Sequence, residues 1–180
     1  MATLLKNCRI YDGTGADAFT GDILIDADKI VGVAPRIDAA DAAVVDIAGK
    51  SVSSGFFDAR SHNDWFAAKR EPEKYFEPFV RQGITSFITG NCGLSMTGFE
   101  PDSPYKDKIG AGLFHMENLT GEYPSAGMLL DAIDRKTPLN IATLVGHCSA
   151  RASVAGYDNR PLTQKEQFHM LGILEENLCQ

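Results

Sequence analysis

The chain has 180 residues, 44% of them hydrophobic and 23% charged, with a formal net charge of −7. That is enough apolar material for a packed core in one domain, with room for a small second module. The acidic balance argues against nucleic acid or an anionic membrane as the main partner, because both favour a basic face, and points to small molecules or proteins.

No apolar run is long enough to span a bilayer and no charged-then-apolar leader opens the sequence, so a cytoplasmic location is expected. Cys8, Cys92, Cys148 and Cys179 are scattered and form no CxxC pair. This pattern suits a reducing compartment, with free thiols and one metal ligand among them at most.

Residues 3–50 read as a small β module. Apolar runs at Leu4–Leu5, Cys8–Tyr11, Ile23–Ile25 and Ile30–Val33 are separated by Asp-Gly, Thr-Gly-Ala and Asp-Ala-Asp-Lys turn chemistry. Asp12 and Asp58 are expected to accept hydrogen bonds in turns or at strand ends.

From residue 51 the texture changes. "SVSSGFFDA" reads as a strand, "PEKYFEPFVRQG" as a helix ended by Gly83, and "ITSFITGNCG" as a second strand. A Gly-, Pro- and Asp-rich insert from Leu94 to Tyr123 follows. "SAGMLLDAIDRK" then reads as a helix, "NIATLVGH" as a third strand and "TQKEQFHMLGILEENL" as a helix opened by Thr163. Three β/α units in succession imply parallel strands joined by helical crossovers, and hence an α/β sheet or barrel. Residues 51–180 are about half of the roughly 250 that a closed (β/α)8 barrel takes.

The three strand ends carry the chemistry: His62 and Asp64 after the first, Asn91 and Cys92 after the second, His147 and Cys148 after the third. In a parallel sheet these ends lie on one side, so they converge. Zinc accepts imidazole, thiolate and carboxylate, and His62 with Cys92 supplies two of the three or four ligands it needs. On an extended strand Arg60, His62 and Asp64 would share one face. A guanidinium has no lone pair and cannot ligate. The bland alternatives are a hydrogen-bonded structural histidine and a buried cysteine. His115 and His169 carry no assigned role.

"LLKNCRIYDGTGADAFTGDILIDADKIVGV" followed by "GKSVSSGFFDARSHND" resembles the opening of amidohydrolase-superfamily enzymes of the D-aminoacylase or N-acyl-D-amino-acid deacylase group. "GITSFITGNCGLS" and "LVGHCSARASVAGYDNRPLTQKE" are similar to that group's second and third strand regions. The resemblance covers essentially the whole chain. It implies a metal-dependent hydrolase of N-acyl amino acids or related amides, with a small β-sandwich (residues 1–50) beside the first three units of a (β/α)8 barrel (residues 51–180).

It also implies zinc, with His62 at the second position of a His-x-His pair and Cys92 as the zinc-binding cysteine. Arg60 stands where the first histidine of that pair would be. Arg60, Asp64, Asn91 and His147 are expected to line the site, and further ligands and a catalytic carboxylate to come from later strands. The chain therefore reads as an amino-terminal fragment with weak or no zinc of its own. Its expected associations are oligomers or a complementing carboxyl-terminal piece, and the rival reading is a non-catalytic remnant or assembly subunit.

Overall fold

The computed structural model describes residues 1–105 and 123–178. The chain divides into two units, Met1–Ser54 and Gly55–Gln180. Their elements are mixed α/β, as the alternating patterns predict.

The first unit is a five-stranded sheet. Strands β1 (Thr3–Tyr11), β2 (Phe19–Asp26) and β3 (Lys29–Ala34) form an antiparallel run, and β4 (Ala43–Asp46) and β5 (Ser51–Ser53) pair with β1 in parallel at its two ends. The register of β1 against β2 shifts between Leu5 and Cys8, where Asn7 sits at φ +57°. Asn7 is held there by its backbone N–H on Asp22 Oδ1 at 3.2 Å and its Nδ2 on Asp46 Oδ1 at 2.9 Å. Such a bulge bends the strand and sharpens its twist. Cys8, Ile10 and Ile23 form the buried cluster, flanked by Leu5, Phe19, Ile25, Ile47 and Val52. In the turn that follows β1, Asp12 Oδ1 accepts from the Thr14 backbone N–H and hydroxyl.

The second unit is built on a three-stranded parallel sheet in the order β6 (Phe56–Asp58), β7 (Ile84–Thr89), β8 (Asn140–Thr143). Helix α1 (Asp64–Ala67) and helix α2 (Glu73–Arg81) connect β6 to β7. Helix α3 (Ala126–Ile133) precedes β8, and helices α4 (His147–Ala155) and α5 (Gln164–Leu178) follow it. The core gathers Trp65, Phe76, Phe87, Met96, Phe99, Leu129, Ile133 and Leu139. Phe76 packs on Phe87 of the central strand with ring centroids 5.6 Å apart, and both rings are fully buried. Each such side chain stabilises the fold by about 1.5–3 kcal/mol relative to exposure.

Four sequence expectations need correction. "SVSSGFFDA" is two strands rather than one: β5 joins the five-stranded sheet and β6 the three-stranded sheet. At Gly55, between them, any Cβ would collide with the Thr85 side chain. The second strand stops at Thr89, and Asn91–Gly93 form a single 3-10 turn entered through Gly90 at φ +78°.

The third strand stops at Thr143, and "HCSARASVA" is a helix that the pattern of small residues concealed. The extended run expected through residues 60–64 ends at Asp58, because Asp64 already opens α1. Part of the Leu94–Tyr123 insert, with His115, and also Cys179 lie outside the described residues. Thr163 does mark the start of α5: its Oγ1 accepts from the Glu166 N–H at 3.3 Å, while Glu166 Oε2 accepts from the Thr163 N–H at 2.7 Å. This reciprocal pair is a capping box.

Candidate active site

The chemistry-bearing residues sit where β6, β7 and β8 end. After β6 the chain turns at Asp58, whose Oδ1 accepts from the Arg60 backbone N–H at 3.0 Å. That turn points the Arg60 side chain back across the sheet ends, and Arg60 Nη2 donates to Cys92 Sγ at 3.1 Å. Both residues are exposed, and the contact with the sulfur holds the Arg60 guanidinium above its usual pKa. An alternation-based reading would have paired Arg60 with Asp64. The structure pairs it with Cys92.

Cys92 owes its position to a strained backbone. It adopts φ +57° and ψ +17° inside the 3-10 turn, a left-handed conformation uncommon for a residue with a Cβ. Neighbouring glycines accommodate it. A Cβ on Gly90 would strike the Leu144 carbonyl oxygen, and one on Gly146 would strike the Gly93 carbonyl oxygen. The end of β7 and the segment from β8 into α4 therefore approach each other backbone to backbone.

A set of buried hydroxyls fixes that approach. The Ser95 N–H donates to Ser149 Oγ at 2.9 Å, and the Ser149 hydroxyl donates back to the Ser95 carbonyl at 2.8 Å. The Gly146 N–H donates to Ser95 Oγ at 2.9 Å, and the Glu100 N–H to Ser153 Oγ at 3.1 Å. The serines of α4 thus pin the loop that carries Cys92. Sequence reasoning missed them because Ser and Ala in a short run carry no strong helical period, and the only available signal was their i, i+4 spacing at Ser149 and Ser153.

Asp64 is not a site-lining residue in this arrangement. Its side chain is fully buried. Oδ1 accepts from the Thr89 hydroxyl at 2.5 Å and Oδ2 from the Met96 N–H at 2.8 Å. Burial pushes its carboxyl above the usual range, against the lowering effect of these two donors. Asp64 is a clamp between α1, the last residue of β7 and the loop beyond Cys92.

Asn91 is likewise turned inward, with Nδ2 donating to the Ile88 carbonyl at 3.0 Å. His62 is half-buried, and its Nδ1 is buried without a hydrogen-bond partner. His147 is the exposed first residue of α4, and Cys148 beside it is half-buried.

These residues, as arranged, do not fit a metal ion. Cys92 Sγ, the strongest candidate ligand for zinc, already accepts from a guanidinium that stays charged at any physiological pH. Among the described residues no three His, Cys, Asp or Glu side chains group so that they could hold an ion. What the geometry offers instead is an exposed cation–thiol pair at the sheet ends, on a loop held rigid by Asp64, Ser95 and Ser149.

Comparison with known proteins gives relatives along nearly the whole chain. No family model matches the chain. The D-aminoacylase of Alcaligenes xylosoxydans xylosoxydans is 31% identical over 181 residues, an alignment covering 98% of this chain and 35% of that protein. A solved structure of D-aminoacylase, from work on the role of its binuclear metal center, superposes with a TM-score of 0.81 at 28% identity, covering 98% of this chain and 36% of that one. The N-acyl-D-glutamate deacylase of Bordetella bronchiseptica, complexed with zinc and a phosphonate that mimics the tetrahedral intermediate, gives 0.75 at 26% identity over the same shares.

The chain spans about a third of the length of these relatives. Its homologues and structural neighbours over nearly its whole length are D-aminoacylases and N-acyl-D-amino-acid deacylases of the amidohydrolase family.

Proposed function

We propose that the chain is part of an N-acyl-D-amino-acid deacylase, contributing a β-sandwich portion and the first three β/α units of a (β/α)8 barrel. The reaction is hydrolysis of a linear amide: a water oxygen bonds to the acyl carbon, the C–N bond breaks, and the departing nitrogen takes a proton. The products are a carboxylate and a free D-amino acid. The observation that carries this reading is the similarity to D-aminoacylase along 98% of the chain, running through all three strand ends.

On this chain, Arg60 and His147 are exposed groups at the ends of parallel strands. An anionic N-acyl amino acid approaching that side meets a fixed positive charge at Arg60, which favours encounter with the substrate's carboxylate. On the deacylase reading the acid–base carboxylate is assigned to a later strand of the enzyme, and Asp64, sealed in the core, takes no part. On this reading turnover needs that later part of the enzyme in addition to these residues.

A second reading is favoured by the Arg60–Cys92 contact. A site whose thiol is taken by a guanidinium suits a non-catalytic member that serves in assembly. The two readings separate in one assay. The purified chain is incubated with N-acetyl-D-amino acids, alone and with a polypeptide supplying the remaining two thirds of a relative's length, and free D-amino acid is measured. Deacylation that appears only on mixing supports the enzyme reading, and none in either case supports the assembly reading. Chelator-sensitive deacylation by the chain alone would overturn both.

A further inference from the structure

We infer that Arg60 is a built-in cation that keeps divalent metal off Cys92, and is more than a residue occupying the place of an absent ligand. The distinction is physical. An absent ligand lowers affinity by removing a bond, and the loss is recovered only by putting a ligand back. A seated cation lowers affinity by occupying the sulfur and repelling the ion, and the loss is recovered by removing the charge, whatever replaces it.

The geometry points to the second case. Nη2 lies 3.1 Å from Cys92 Sγ, and the Arg60 main chain is fixed by the Asp58 carboxylate. Cys92 itself stands at φ +57° in the turn between Gly90 and Gly93, with its sulfur on the Arg60 guanidinium. A zinc ion bonded to sulfur at about 2.3 Å would lie no more than about 5.4 Å from that nitrogen while the contact persists. Even with the dielectric constant of water, a unit charge and a dication at that separation repel by about a tenfold factor in affinity. The guanidinium cannot relieve this by losing its proton.

His62 supplies the second observation. Two residues after Arg60, its Nδ1 is buried without a hydrogen-bond partner.

This inference rests on the deacylase reading only for the expectation that a metal ion belongs near Cys92. Its test contains no substrate, so it stands or falls apart from hydrolysis. The purified 180-residue chain and the variants Arg60→Met, Arg60→Lys and Arg60→Met/Cys92→Ser are titrated with cobalt(II), reading the near-ultraviolet sulfur-to-cobalt charge-transfer band. Zinc protection of the Cys92 peptide from maleimide is read in parallel by mass spectrometry.

The expected result is a Cys92-dependent band and zinc protection in Arg60→Met at metal concentrations about tenfold or more below those the unaltered chain needs. Arg60→Lys, which keeps the charge, should behave like the unaltered chain, and the double variant should lose the gain. Equal affinity in Arg60→Met and the unaltered chain would overturn the inference, as would Arg60→Lys binding as tightly as Arg60→Met. Circular dichroism on each variant confirms that the fold is retained, which the exposed position of Arg60 makes the expected outcome.

Discussion

Replacing Asp64 by alanine removes the acceptor for two groups that have no access to water. The Thr89 hydroxyl at 2.5 Å and the Met96 N–H at 2.8 Å both end on its carboxylate, and Thr89 is itself fully buried. A buried polar group left unpaired costs about 1–3 kcal/mol, so two cost about 2–6 kcal/mol. Against this stands the relief of a carboxyl that burial has pushed above its usual range, so the loss is expected in the lower half of that span, about 2–4 kcal/mol.

Asp64→Asn is the informative control. Its carbonyl oxygen accepts from Met96 and its amide nitrogen donates to the Thr89 oxygen, so the loss should stay within about 1 kcal/mol. For a chain of this size each kcal/mol moves the melting temperature by about 2–4 °C, which predicts a drop of about 4–16 °C for alanine and a few degrees for asparagine. Thermal melts followed by circular dichroism measure both. Hydrogen exchange at the Met96 amide should quicken in the alanine variant. If asparagine is as damaging as alanine, charge rather than hydrogen bonding holds the clamp. If alanine is harmless, the clamp does not hold the loop.

Three further outcomes follow from the same packing. Phe76→Ala empties a fully buried site against Phe87 and Phe79 and should cost about 3–5 kcal/mol in chemical denaturation. Gly146→Ala brings a Cβ onto the Gly93 carbonyl and the Ser95 nitrogen, so it should destabilise by about 1–3 kcal/mol and expose the Cys92 loop to faster hydrogen exchange.

Glu166 is held well below the usual carboxylate range by the Arg160 fork and then by the Thr163 N–H. Its contribution to stability is therefore full above the unfolded value near about 4.3 and is lost as pH falls through the folded value. The melting-temperature difference between the unaltered chain and Glu166→Gln should be constant from neutral pH down to about pH 5 and shrink below it. A difference that grows on acidification would contradict the ion-pair reading.

The elements that were legible in the sequence were those with a strong local cause. The α2 segment has aromatic residues at helical spacing and Gly83 to stop it, and α5 has Thr163 and Glu166 at capping-box spacing. Helix α4 was hidden because its buried face is made of Ala and Ser, whose burial is decided by how closely β7 and α4 approach, a tertiary fact that local pattern does not encode.

The same holds at the site. The convergence of Arg60 and Cys92 at the ends of adjacent strands follows from parallel topology, which the β/α alternation predicts. The inward turn of Asp64 does not, because it depends on where β6 ends and α1 begins. Alternation along an assumed strand placed Asp64 beside Arg60, whereas the strand stops at Asp58 and the carboxylate goes into the core.

The most direct test of the functional proposal is stereospecific amide hydrolysis. N-acetyl-D-amino acids and their L counterparts are offered to the purified chain alone and to the chain mixed with a polypeptide supplying the rest of a relative's length. The expected result is no turnover by the chain alone, and release of free D-amino acid but not L-amino acid by the mixture. Release by the chain alone, or release from L substrates in preference to D, would contradict it.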